Sequence, residues 1–374
     1  MSRRDSSPRA LFAGMGNNVA PESGKSRALA GKIALAALAA VAALAGLAAM
    51  PGLPAGQALA RDSLDAAYGK PHRLVTVDGT RRLNLFCLGR GSPTVLFDSG
   101  LGGSTLSWRM VQGEVARTTR ACSYDRAGYG FSDPPAGAST ALAAVADIHR
   151  LLRAAHVRTP VLYVGHSIAG LYGVLLEALH PEDVAGEVLV DPSFAGQFQA
   201  MTAGLPDAVR DGAAGLYRGQ LSHLKACAIT RPPLPKDCLG NGDGPGPAPP
   251  ALAALEQGQL ARPSYIAAKA SEFESFLPGD AGSPNQRALD ANPADFGDKP
   301  LIVLTHGHMN YPGVTPQQNA LIEKAWLAGH DRLAGLSRRG SNTVVPGSGH
   351  FIQLDQPQAV IDAVNKAIAG LRAD

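Results

Sequence analysis

Cysteine, aromatic residues and net charge are all scarce in this chain, and each shortage narrows what it can be. Four cysteines stand in 374 residues. No C-x-x-C pair and no Cys/His spacing marks a zinc site, so no metal is expected. Aromatics make up only 5% of the chain, yet 45% of it is apolar, the balance of an ordinary globular protein able to bury a large core. The formal net charge is only +3. Six basic and two acidic side chains in the first 32 residues give that segment a net of +4, which leaves everything after it close to −1. The basicity belongs to the leader, and a nucleic-acid partner is excluded. No internal repeat is visible, and one large domain with an insertion fits the length.

After Lys32 the chain runs uncharged and rich in Ala, Leu and Val from Ile33 to Met50, then reaches Pro51, Pro54 and Ala58-Leu59-Ala60 ahead of Arg61. A basic region, an apolar region and a small-x-small site form a secretory signal peptide pattern over residues 1–60. The 18-residue apolar run also allows an uncleaved N-terminal membrane anchor through residues 33–50. Either way the remainder, 61–374, is exported. An oxidising compartment gives the cysteines a meaning. Cys227 and Cys238 bracket the proline-rich run Arg231-Pro232-Pro233-Leu234-Pro235. A bridge there contributes about 3 kcal/mol on the chain-entropy model. Four buried free thiols are the alternative.

From Arg73 strand and helix patterns alternate, as in a mostly parallel sheet covered on both faces. Strands are expected around Leu74–Val77, Leu83–Cys87, Thr94–Asp98, Ala121–Tyr124, Val161–Val164, Glu187–Val190, Leu301–Leu304 and Thr343–Val345. Helices are expected around Trp108, Met110 and Val111; through Leu142, Val145, Ile148 and Leu152; from Leu321 to Leu333; and through Ile361, Val364, Ile368 and Leu371. Between Ser193 and about Asp298 the alternation fails, and Gly240 to Pro250 reads as a loop. Residues 193–299 are therefore taken as an inserted helical cap, with Tyr265, Ile266, Ala270, Phe273 and Leu277 as its apolar stripe.

Two segments carry chemistry. In Gly165-His166-Ser167-Ile168-Ala169-Gly170 a serine follows an apolar strand and precedes a helix. Such an apex forces a sparsely populated backbone conformation, so Gly165 and Ala169 must be small. The hydroxyl then stands above the sheet edge as a candidate nucleophile, with the Ile168 N–H placed to meet an oxyanion. Near the end, Gly347-Ser348-Gly349-His350-Phe351 lies between the last strand and the last helix. His350 can swing over the same edge, take the serine proton and return it to a leaving group.

With these pieces in place the chain, from roughly Arg73 to Leu371, resembles the α/β-hydrolase family. The resemblance rests on Ser99-Gly100-Leu101-Gly102-Gly103, on Asp125-Arg126-Ala127-Gly128-Tyr129-Gly130-Phe131-Ser132-Asp133, on the Ser167 turn and on Gly349-His350, all in the family's order. It implies an α/β fold with a mostly parallel sheet, helices on both faces and a cap insertion. It implies Ser167 as nucleophile, His350 as base, the N–H groups of Leu101 and Ile168 as oxyanion hole, and an architectural role for the segment Asp125 to Asp133. It also makes the second and fourth strands neighbours, which puts Cys87 within reach of Cys122. The sequence departs from the family after Leu304, where Thr305-His306-Gly307-His308 carries no carboxylate. Family order then places the acid between 167 and 350 at a strand end. Asp191 meets both conditions. Asp331 falls inside a helix and Asp298 precedes its strand. His306 and His308 form a possible metal pair without carboxylate or cysteine partners, so site-lining or surface roles are preferred.

The expectation is an exported serine hydrolase that cleaves a carboxylic ester or related acyl bond of a small molecule through an acyl-enzyme, without a cofactor. Two alternatives stay open. A peptidase of the proline-iminopeptidase kind needs cap carboxylates to hold a substrate amine, for which Glu272 and Glu274 are candidates. A non-catalytic binding protein on the same fold is the other.

Overall fold

The computed structural model describes residues 64–231, 233–238, 248–277 and 282–373. The leader with its 33–50 run, and most of the Gly/Pro-rich stretch 240–250, lie outside the described residues. Among the described residues no helix is long and apolar enough to cross a membrane.

Eight strands build one sheet: β1 (Arg73–Asp78), β2 (Arg81–Leu88), β3 (Val95–Asp98), β4 (Ala121–Tyr124), β5 (Val161–His166), β6 (Val184–Val190), β7 (Leu301–His306) and β8 (Gly340–Val345). Their order is β1-β2-β4-β3-β5-β6-β7-β8, with β2 antiparallel to both neighbours and every later pair parallel. A central parallel strand is covered on both faces, and every residue of β5 is accordingly buried. Its side chains alternate. Leu162 and Val164 pack with Trp108, Val115, Val360 and Val364 on one face, while Val161 and Tyr163 pack with Ile148, Leu171 and Leu175 on the other. Each such large apolar side chain contributes about 1.5–3 kcal/mol by leaving water.

The longer helices are α1 (Ala141–Ala154), α2 (Ala169–Leu179), α3 (Asp207–Ile229), α4 (Pro250–Leu260), α5 (Pro263–Phe276), α6 (Pro284–Ala291), α7 (Pro316–Ala334) and α8 (Pro357–Ala373). Each of α4 to α8 begins on proline, whose fixed φ and missing N–H cost nothing at a first helical position. A capping box of Thr315 and Gln318 also secures the start of α7. The helices α3 to α6 lie between β6 and β7 as the cap insertion. Of the expected cap stripe, Tyr265, Ile266, Ala270 and Phe273 are buried.

Two expectations need correction. The helix expected around Trp108, Met110 and Val111 is a 3-10 turn, Thr105–Trp108, followed by one helical turn, Gln112–Val115. The Asp125 carboxylate accepts the Thr105 N–H (2.7 Å) and Trp108 packs against Phe97, which fixes this segment before a regular helix can form. Leu142 is 49% exposed; the inward stripe of α1 instead begins at its neighbour Ala141 and continues through Val145, Ile148 and Leu152.

Cys87 and Cys122 face each other across β2 and β4 and are disulfide-bonded, with Cα atoms 4.0 Å apart. Cys227 and Cys238 form a second disulfide. All four thiols are thus paired, as an oxidising environment favours.

Candidate active site

Ser167 follows β5 with φ +55°, in the left-handed region that a serine occupies only under constraint. The constraint is visible on both sides. Its N–H donates to the Val190 carbonyl (3.1 Å) and its carbonyl accepts from the N–H groups of Gly170 (2.9 Å) and Ser193 (2.8 Å). A Cβ at position 165 would stand 2.8 Å from the Ala169 carbonyl oxygen, so strand and helix approach this closely only across a glycine. Asp191, one residue past β6, is also left-handed, at φ +44°, and is tied to the next strand by its N–H to the Leu304 carbonyl (2.7 Å).

His350 reaches both from the loop after β8. Its Nε2 lies 2.9 Å from the Ser167 hydroxyl and its Nδ1 2.6 Å from Oδ2 of Asp191. The three side chains are buried in one hydrogen-bonded line. One tautomer serves both contacts: Nδ1–H donates to the carboxylate and Nε2 accepts from the hydroxyl. Burial works against the charge of Asp191, but the bonds from His306 and His350 hold its carboxyl well below the usual carboxylate range. Its Oδ1 also accepts from the Trp326 indole N–H (2.9 Å) and the His306 backbone N–H (3.1 Å). Neighbouring His166 is pushed down to about 3 by burial and stays neutral. Its Nε2 lies 3.0 Å from the His350 carbonyl, which steadies the loop that carries His350.

The segment Ser99 to Ser104 presses onto the serine. A Cβ at Gly100 would stand 3.2 Å from Cβ of Ser167. Among the described residues neither the Leu101 nor the Ile168 N–H donates to a backbone carbonyl. The buried Arg126 guanidinium holds this segment, donating to the carbonyls of Ser99 and Gly100 and to the Asp98 carboxylate. Its other edge meets the cap: Nε donates to Oε1 of Glu272 on α5 (2.9 Å), and Tyr129 and Tyr172 donate to the same carboxylate. Tyr265, also on α5, donates to the Gly102 carbonyl (3.1 Å). The Asp125 carboxylate accepts the N–H groups of Thr105 and Phe131 and an amide hydrogen of Asn84, the bracing expected of its segment.

The remaining candidates fall elsewhere. Asp298 pairs with Arg338 (2.6 Å) and Asp331 accepts from Asn342 (2.9 Å), both at the exposed surface. His306 and His308 do not form a pair: His308 bonds Asn310 at the surface, whereas His306 is buried between Asp191 and Glu323. Glu272 is 2% exposed and fully engaged, and Glu274 pairs with Lys225 (2.6 Å). Sequence reasoning missed the support from α7. Glu323, Trp326 and His330 recur at i, i+3 and i+7, one helix face, and that spacing was the available signal.

Residues 95–363 match the profile described as "Alpha/beta hydrolase family". The chain belongs to the alpha/beta hydrolase family. The match runs from β3 into α8 and includes Ser167, Asp191 and His350. An uncharacterized protein of Bacillus subtilis (strain 168) is 31% identical over 118 residues, 32% of this chain and 47% of that protein. The chain spans less than half the length of the curated relatives it matches. Among solved structures, Cfl2 from Burkholderia cenocepacia aligns with TM-score 0.55 at 19% identity, covering 79% of this chain and 95% of that one. A thermophilic esterase from Thermogutta terrifontis aligns with TM-score 0.50 at 16% identity, covering 81% and 99%. At these identities the structural matches establish the fold within the family.

Proposed function

We propose that this family member is an exported serine hydrolase that cleaves a carboxylic ester, or a related acyl bond, of a small-molecule substrate. The observation that carries the reading is the line Asp191–His350–Ser167 at a left-handed serine. In the proposed cycle His350 removes the Ser167 proton as Oγ attacks the acyl carbon, and the N–H groups of Leu101 and Ile168 receive the oxyanion. His350 then passes the proton to the departing alcohol, leaving an acyl-serine. Water, deprotonated by His350, releases the acid and restores the serine. Asp191 holds the imidazole in its working tautomer and stabilises the imidazolium.

The peptidase reading loses its support, because Glu272 is taken by Arg126, Tyr129 and Tyr172 and Glu274 by Lys225. A binding protein has no need of a strained serine and a saturated carboxylate in register with a histidine. The protein should hydrolyse p-nitrophenyl esters in a panel of increasing acyl length and leave amino-acid anilides uncut. Anilide cleavage without ester turnover would reinstate the peptidase.

Export is part of the proposal, supported by the leader pattern and by the two disulfides. Mass spectrometry of the exported protein should find a new N-terminus near Arg61. An intact leader would instead favour anchoring through residues 33–50.

A further inference from the structure

We propose that His306 and Glu323 are positioning residues of the triad, forming with Asp191 a carboxylate–imidazolium–carboxylate bridge that acts as the acid of the site. This extends the serine-hydrolase reading and rests on it for its kinetic consequences. The geometry comes first. His306 ends β7, and its Nδ1 lies 2.9 Å from both oxygens of Asp191. Its Nε2 lies 3.1 and 3.2 Å from the two oxygens of Glu323 on α7. A ring nitrogen without a proton would set its lone pair against those of a carboxylate, so a ring with a carboxylate at each nitrogen is doubly protonated. Burial opposes this charge, yet the two carboxylates raise His306 to about 10.

Among the described residues the surroundings add no compensating charge. From α7, burial pushes His330 down to about 4, which keeps it neutral; its ring nitrogens lie 2.8 Å from the Pro192 carbonyl and 2.7 Å from the Thr305 hydroxyl. From the loop after β7, burial and then Glu323 push the Tyr311 phenol up, which keeps it neutral too. From the loop after β8 His350 faces the array, at Asp191. β6 carries Glu187, which burial keeps protonated, and just past its end Asp191 itself faces His306.

Three ionised groups in a row thus leave one net negative charge beside His350. Asp191 with His306 alone would be a neutral pair, poorly suited to stabilise an imidazolium. Glu323 restores the missing charge from the edge of the site, where its side chain is 23% exposed. A strand-end carboxylate that also binds a neighbouring histidine therefore keeps the charge its role demands.

The test is a charge cycle read as the acidic limb of kcat/KM against pH, on the purified full chain, with circular dichroism to establish folding. Glu323→Gln leaves the pair neutral, so the limb should move to lower pH by about one unit and kcat should fall about tenfold with KM nearly unchanged. His306→Asn leaves two carboxylates, which favours protonated His350, and the limb should move to higher pH. The double variant should return the limb close to its wild-type position. Shifts of one sign in both single variants, or none, would overturn the proposal. Should His306→Asn fail to fold, nitrogen-15 spectra of the imidazoles decide without it and without substrate: one ring lost or shifted in Glu323→Gln must carry protons on both nitrogens through pH 8. A neutral ring there at pH 7 would sink the bridge. If that ring is doubly protonated while no acyl substrate turns over, the hydrolase reading fails and the bridge stands as a structural element.

Discussion

At the scale of single residues, two side chains sit where the backbone resists them. Ser167 and Asp191 both have positive φ, at the ends of adjacent parallel strands, and each is locked by a hydrogen bond to the strand beyond. Ser167 was legible in the sequence because its apex demands small neighbours, and Gly165 and Ala169 advertise it. Asp191 was legible only through strand order, since nothing local separates a strand-end aspartate that braces a turn from one that orients a histidine. The site predicts the difference. Asp191→Asn should fold normally yet lower kcat by roughly 10⁴, because an amide facing His350 favours the wrong tautomer. Asp331→Asn, which removes only a surface contact to Asn342, should leave kcat unchanged. Esterase assays on both variants check the assignment, and the reverse outcome would place the acid on α7.

At the scale of elements, α5 and α7 reach the site through contacts that their apolar periodicity does not announce; only the one-face spacing of Glu323, Trp326 and His330 hints at them. The alternation of strands and helices gave the sheet, and prolines at first helical positions mark helix starts. The partners of Arg126 and His306, by contrast, lie 146 and 17 residues away along the chain and are joined only by packing. Arg126 shows the consequence. One guanidinium fixes the carbonyls of Ser99 and Gly100 and simultaneously seats the cap through Glu272. Glu272→Ala leaves that buried cation partly unpaired, a loss of about 3–5 kcal/mol that calorimetry would register as a lower Tm. Glu272→Gln keeps the shape without the charge. It should lower kcat more than it raises KM, because the segment bearing the Leu101 N–H loses its brace. Unchanged Tm in the alanine variant would mean that Arg126 finds another partner.

At the scale of the whole molecule, the sheet carries one buried carboxyl that nothing in the sequence flags. Glu187 reads as part of an apolar strand, yet it is fully buried in β6, and neither of its oxygens has a hydrogen-bond partner among the described residues. Burial raises its carboxyl well above the usual carboxylate range. The native state then holds a proton that the unfolded chain releases above about 4.5, so this residue costs stability increasingly as pH rises from there toward its folded value. Glu187→Leu should raise Tm by a few degrees at pH 7 and by more at pH 9, with little change near pH 4. Calorimetry across that range checks it, and a pH-independent difference would contradict it. The central claim, however, is that the fold serves to raise Ser167 as a nucleophile, and covalent capture addresses it most directly. Wild-type protein treated with a fluorophosphonate should gain one adduct that peptide mapping places on Ser167, and Ser167→Ala should gain none. Labelling that persists in the variant, or an adduct on any other residue, would contradict the account.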